Sequence, residues 1–411
     1  GYNSEFGHGM LDIHAALNPI TSSRMGRSIL VGRNTGNSEV YPLERSKIIV
    51  PNLFGDVFDK KFKDSKGIFH DAMYGSFEYD YSKSFISKKK LSNLEKLEKH
   101  FENNNSKYLY QKNLNGDVIT KFNGSPLSEN YQPEFMFKSN FNNTRGSFNS
   151  YNLPLELTTG FINSNDKIFR NNMSEVFKIP FLSNGNNNTY SSGLFMDDLN
   201  NTTLSLYYTD TDLGTESTGA LLKTDLYNSS ILLGYSNEEG GFLGSKSDAA
   251  FSKSTSTPTN FISHNFNKSI NDRLHLLSLF SAGYTSIDGF QKSLVEDMSD
   301  IYSSSWGINL MYEGIKENIY SLSISQPHRV EQGSANFLLP KNNSLDGSLN
   351  FETHRVNLEP SGREINLSFK IDKSFNETSK ISLENIITNN YMHNIDNNLE
   401  GSIFVSFVSH F

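Results

Sequence analysis

Cysteine is absent from the 411-residue chain, which excludes disulfides, thiolate metal sites and cysteine nucleophiles. No stretch approaches the roughly 20 consecutive apolar residues that a membrane helix needs. A membrane span would therefore have to be made of strands, whose alternation keeps hydropathy low, so a mean hydropathy of −0.49 does not exclude one. The net charge of −8 carries no basic excess, and aromatic and basic residues do not interleave as on a nucleic-acid surface. No nucleic-acid partner is expected. No basic segment followed by an apolar run opens the chain, so no signal peptide is read there; the expectation is the C-terminal part of something longer. No Gly-x-Ser-x-Gly elbow occurs either.

What the chain has in quantity is alternation. Trp306, Ile308, Leu310 and Tyr312 face away from Ser305, Gly307 and Asn309, and Tyr320, Leu322 and Ile324 from Ser321, Ser323 and Ser325. The clearest run sets Ile365, Leu367, Phe369 and Ile371 against Glu364, Asn366, Ser368, Lys370 and Asp372. Period two means a strand with one apolar and one wet face. Asn-, Gly-, Ser- and Asp-rich clusters such as 184–188 and 396–398 separate the runs as turns and loops. The spacing predicts roughly twelve strands after about residue 130, within a range of about ten to fourteen. The last strand places Ile403, Val405, Phe407 and Ser409 on one face, and the chain ends on Phe411. It reads as the final, membrane-inserting strand of an outer-membrane barrel or as the edge of a soluble β-sandwich.

Upstream the pattern is mixed. Gly75–Tyr81 alternates like a strand, and Tyr108-Leu109-Tyr110 and Val118-Ile119-Thr120 flank Asn115-Gly116, a favoured hairpin turn. Leu91, Leu94, Leu97 and Phe101 fall near helical spacing behind Lys88-Lys89-Lys90, a run that suits lipid phosphate or, more simply, a solvated approach to the helix. His8 and His14, six apart and without a Cys or Glu partner, match no metal motif. No metal and no cofactor are expected. Isolated polar residues such as Asp71, His275 and His354 read as surface or lumen groups.

Two sets of residues carry a resemblance. Phe6-Gly7-His8-Gly9-Met10-Leu11-Asp12-Ile13-His14-Ala15-Ala16-Leu17, closed by Asn18-Pro19, resembles the last helix of a subtilisin-like serine protease domain. Gly241–Ser245, Gly283-Tyr284-Thr285, Ser293-Leu294, Ser325–Gly333 and Leu358–Ile365 resemble the C-terminal region of proteobacterial subtilisin-like peptidases with an autotransporter-like tail. Phe54-Gly55-Asp56 and His70-Asp71 with Phe77 look like the linker of that family. The resemblance implies a protease tail over 1–22, a linker with short strands and one or two short helices over 23–130, and an autotransporter-like barrel over 131–411. The fold class expected is mainly β, an antiparallel up-and-down barrel of about 12 strands (10–14). A subtilisin-like Asp, His, Ser triad would lie ahead of the closing helix, so none of it is expected in this chain. The implied role is the outer-membrane translocator and anchor of a secreted protease, which itself acts at the cell surface or beyond. Its partners would be outer-membrane lipid, the barrel-insertion machinery reading the last strand, and the protease passenger in cis, with the region before about residue 130 occupying or threading the pore. A soluble accessory domain of a secreted protease and a stand-alone porin are the alternatives.

Pro327 cannot donate to a ladder, so Gln326-Pro327-His328 predicts a strand end or a bulge. Charge on a lipid-facing midplane position costs roughly 2–4 kcal/mol. Arg329, Arg355 and Arg363, with Glu331, Glu359 and Glu364, are therefore expected as a polar cluster in the lumen or at a rim, simple loop solvation being the other reading.

Overall fold

Alternation of apolar and small polar residues commits the chain to strands, and the computed structural model is mainly β. It describes residues 17–19, 22–26, 40–71, 73, 75–87, 95, 107–113, 116–122, 134–142, 144–151, 155, 179–182, 189–198, 201–211, 215–290, 292–315, 318–345, 348–375 and 379–409. Six short strands come first: β1 (Arg24–Gly26), β2 (Val40–Pro42), β3 (Ile48–Val50), β4 (Lys66–His70), β5 (Ser76–Asp80) and β6 (Phe85–Ser87). The six-residue helix α1 (Val57–Phe62) lies between β3 and β4. Long strands follow: β7 (Lys107–Asn113), β8 (Gly116–Phe122), β9 (Glu134–Asn140), β10 (Arg145–Tyr151), β11 (Thr189–Asp198), β12 (Thr202–Thr211), β13 (Glu216–Leu226) and β14 (Ser229–Glu239). The series continues with β15 (Lys246–Ser247), β16 (Thr257–Ser269), β17 (Leu274–Thr285), β18 (Val295–Met298), β19 (Ile301–Glu313) and β20 (Ile319–Gln332). It ends with β21 (Ser334–Asn343), β22 (Leu349–Asn357), β23 (Ile365–Ser374), β24 (Ser379–Asn389) and β25 (Glu400–Ser409). The helices expected within 6–17 and over 91–101 lie outside the described residues, Leu17 and Glu95 excepted. No helix among the described residues is long and apolar enough to cross a membrane.

Fifteen strands form one antiparallel sheet in the order β25-β24-β23-β20-β19-β17-β16-β14-β13-β12-β11-β10-β9-β8-β7. Thirteen of them follow residue 131, inside the expected range; the hairpin β7–β8 adds two more by pairing β8 with β9. Among the described residues the outermost strands β7 and β25 do not pair with each other. One end of the sheet is closed by short turns. Tyr227 and Asn228 alone link β13 to β14; between β16 and β17, Asn271 Oδ1 accepts from the amides of Arg273 (2.9 Å) and Leu274 (2.8 Å), a side chain standing in for a backbone acceptor. The opposite end carries the long connections 152–188, 240–256, 286–300, 333–364 and 390–399. The last strand therefore finishes at the short-turn end.

The sheet curls. Phe181, from the connection after β10, stacks on Phe261 of β16 at 5.0 Å and meets His328 of β20 edge-on at 4.8 Å, so inner faces three strands apart converge on one ring. Glycine lets other rings lie flat against the inner wall: a Cβ on Gly234 of β14 would stand 2.1 Å from Cζ of Phe261. Pro327 falls where the β19–β20 register shifts, between the pairs Trp306–Gln326 and Ser304–Arg329. The missing amide is thus placed in a bulge.

Residues 40–87, part of the stretch expected as a linker that occupies or threads a pore, fold against the long connections. Their strand β3 pairs antiparallel with β15 and parallel with β6, so one small sheet is shared between the two parts of the chain. Phe62 stacks on Phe85 at 4.0 Å and meets Phe337 of β21 at 5.4 Å; Phe54 meets Phe242 at 5.8 Å. Tyr81 Oη donates to the Pro340 carbonyl at 2.7 Å. All these rings are buried, and together they form a cap at the loop end.

Candidate functional site

Burial on the wall is inverted. On β19, Tyr302, Ile308, Leu310 and Tyr312 are exposed while Ser303, Ser305, Asn309 and Met311 are buried. On β25, Ile403 is 68% and Phe407 62% exposed, against 2% for Ser406; Phe411 lies outside the described residues. The two faces expected from alternation are present, and the apolar one is the outer one. Inward hydroxyls meet across strands: Thr209 with Ser217 at 2.7 Å, Ser263 with Ser281 at 2.8 Å, Thr259 with Thr285 at 2.9 Å. Such cross-strand pairs are how a wall stabilises a polar inner face. Asp372, also inward and 2% exposed, accepts from Lys380 Nζ (2.9 Å) and Ser382 Oγ (2.6 Å), with Lys370 Nζ at 3.6 Å.

At the loop-side rim of β20, beside the bulge, the chain gathers charge. Every N–H of the buried Arg329 guanidinium is used. Nε donates to the Gly362 carbonyl (3.0 Å), Nη1 to the Val330 carbonyl (3.1 Å) and Glu331 Oε2 (2.6 Å), and Nη2 to Glu359 Oε1 (3.1 Å) and the Pro360 carbonyl (3.0 Å). A rigid planar fork with five donors suits this role, and a lysine would not. Arg363 grips Glu331 with both ends of its fork, at 2.9 and 2.6 Å, and also donates to Gln326. Ser304 Oγ completes Glu331 at 2.7 Å, and Trp306 Nε1 donates to Gln326 Oε1 at 3.1 Å. Because Trp306 and Gln326 are register partners they share a face, which sets this cluster on the outward side of the rim. Two arginines balance two glutamates, so the cluster offers no net charge to a ligand.

Arg355 stands elsewhere. It is exposed on β22, opposite Asn336 of β21, and takes no part in these ion pairs. Glu364 lies next to the cluster and serves a different neighbour: its Oε2 accepts from the Met392 amide (2.7 Å) and its own amide donates to His393 Nδ1 (3.0 Å). Sequence reasoning missed His393, which sits in no motif. With Nδ1 accepting, Nε2 holds the ring's proton and donates to the His328 carbonyl at 2.9 Å. Burial, and then the positive Arg329 and Arg363, push this imidazole down to about 4 against the pull of that carbonyl. Asn390, Met392 and His393 all have positive φ, a strained state for side chains with a Cβ that persists where surrounding bonds over-determine it.

A third group ties the cap to this rim. Asp56 accepts from the Ser361 amide (3.1 Å) and Ser361 Oγ (2.5 Å), and Lys60 Nζ lies 2.7 Å from both Asp56 and Asp396. Burial works to raise the Asp56 pKa, but Lys60 and Ser361 outweigh it and hold the carboxyl below its ordinary range. Gly55, at φ +52, lets the backbone pass where a Cβ would meet the Met392 carbonyl and Pro360 at 2.9 Å. No group of His, Asp or Glu among the described residues could hold a metal. Asp71 accepts from the amides of Met73 and Gly75, and His275 meets Ser269 Oγ at 2.9 Å. These are structural bonds.

No family model matches the sequence, and no curated protein matches it. Solved structures that align with the fold include a bacterial polysaccharide outer membrane secretin, at 8% identity and a TM-score of 0.32, covering 74% of this chain and 90% of the other. OmpT, an outer membrane protein of Vibrio cholerae, aligns at 8% identity and 0.37, covering 68% and 76%. The siderophore receptor PirA from Acinetobacter baumannii aligns at 10% and 0.29, covering 97% and 73%. TM-scores this low carry none of their architecture across to this chain.

Proposed function

We propose that the fifteen-stranded sheet is the wall of an outer-membrane β-barrel, and that the chain anchors, and serves as translocator for, a secreted subtilisin-like serine protease whose catalytic triad lies outside it. The observation that carries this reading is the inverted burial of the wall. Rows of Leu, Ile, Phe and Tyr left in water would form an apolar surface far larger than the few hundred Å² that soluble monomers tolerate. Lipid removes that cost, and a closed barrel satisfies every backbone donor and acceptor inside it. On β19 the outward apolar run reaches from Trp306 through Ile308 and Leu310 to Tyr312, and the charged rim begins at Ser304. Short turns then face the periplasm and long connections the outside, which leaves the end of β25 on the periplasmic side, where insertion machinery would act on Ile403, Val405, Phe407 and Phe411. β7 and β25 run in the same sense, so their seam would be a parallel one. The translocator role, the protease passenger and the absence of catalysis in this chain rest on the resemblance quoted above.

Trp306 is the single tryptophan and lies on the outward face. Refolded into vesicles with brominated acyl chains, the protein should lose most of its tryptophan emission relative to unbrominated vesicles, and it should migrate faster on gels before boiling than after. Unchanged emission with a soluble, non-shifting protein would instead favour the accessory-domain reading.

A further inference from the structure

We infer that residues 40–87 are a non-covalent dock: they bind the N-terminal part of the chain to the loop end of the wall strongly enough that a cut between β6 and β7 leaves the two pieces together. The unit is not self-sufficient. Its central strand β3 has β15, from the connection after β14, as one of its two neighbours, so removing the wall would expose a row of unpaired backbone groups. Its aromatic core is also shared, since Phe54 packs on Phe242, and Phe62 and Phe85 on Phe337 at 5.4 and 5.3 Å. The latch of Asp56 and Lys60 on Ser361 and Asp396 closes the third side, and Tyr81 spans to the Pro340 carbonyl. Backbone pairing, interlocked rings and paired charge thus reach three different connections of the wall, and none of them passes through the peptide that links β6 to β7. Covalent continuity is redundant for holding the pieces.

The consequence goes beyond anchoring. A passenger carried ahead of the dock would stay at the surface after proteolysis downstream of residue 87, and would leave only when the dock itself opens. Because β1 also pairs with β2 and β4 of the dock, a cut that releases the proposed passenger must fall upstream of residue 24.

The test needs neither lipid nor a protease passenger. A recognition sequence for a site-specific protease is inserted after residue 90 of the full chain, which is refolded in detergent, cut, and passed over a sizing column. The expected result is co-elution of both pieces. Elution of the N-terminal piece on its own, with the larger piece still shifting on gels upon boiling, overturns the inference without touching the barrel reading. The same cut chain carrying Phe58→Ala and Phe62→Ala should release the piece at least about tenfold faster, because weakened interfaces show mainly in their off-rates. Release at the unaltered rate would mean that the pieces are held by something other than this dock.

Discussion

The cap and the wall are built from one amino-acid vocabulary in opposite senses. In the cap, Phe54, Phe58, Phe62 and Phe85 are buried to 5% exposure or less, while charged Lys60 and Lys66 look outward. In the wall, Ser263 and Ser281 are fully buried while Ile308, Leu322 and Phe369 look outward. Each arrangement suits its own solvent: the first hides apolar area from water, and the second, on the proposed barrel reading, hides polar groups from lipid. In the proposed barrel the chain would straddle the boundary between the two, and the rim where cap and wall meet gathers the paired charges of Arg329, Glu331, Glu359 and Arg363. Arg329, buried there, has all five of its donors satisfied, as a buried cation must.

The sharpest way to break this contrast is to remove a ring from the cap. Phe62→Ala should cost the cap about 3–5 kcal/mol, seen as fast hydrogen exchange confined to residues 40–87 and their partner connections, with the wall's boiling-dependent gel shift retained. Loss of both together would mean that cap and wall are one cooperative unit. Next in size is Leu322→Arg, on the outer face between the tyrosines. It should destabilise the vesicle-refolded protein by roughly 2–4 kcal/mol in urea unfolding, and by more than Ser323→Arg one residue along the same strand. Equal effects would erase the difference between the two faces. Gly234→Ala drives a Cβ into Phe261 and should cost about 1–3 kcal/mol. Adding Phe261→Ala should make that second change cheaper, the pair being non-additive as groups in contact are.

Smallest is the acid response of the rim. His393 is held neutral, with its pKa pushed down to about 4 from an ordinary 6.5. Between those values the unfolded chain binds a proton that the folded one does not, so this contribution to stability is whole above pH 6.5 and is lost as pH falls towards 4. From pH 7 to 5.5 the loss should be about 1 kcal/mol, read as faster exchange at the amides of Glu364 and Met392. His393→Gln should flatten that dependence; a slope unchanged by the substitution would assign it to another group.

Strand positions were largely legible, because alternation over eight or more residues has few other meanings; the run Glu364–Asp372 became β23 with its apolar members outward. The hairpin around Asn115-Gly116 was legible too, though not that it would extend the large sheet. Charge near Pro327 pointed to the rim, since a proline bulge and paired charges both belong at a strand's end. Arg355 shared their charge and proximity in sequence, but β22 carries it away on a different sheet. His393 and the Asp56 latch were illegible. The first meets a carbonyl 65 residues away, the second a serine 305 away, and no local pattern encodes such distances.

Periodicity alone determined that this chain makes strands with one apolar and one polar face, because side chains on a strand must alternate. Which face turns outward was decided only by the tertiary structure. An alternating strand is symmetric to its own reading, and the choice is visible only once the strands lie side by side in a curled sheet, whose inner face holds the rings over glycine, the paired hydroxyls and the buried carboxylate.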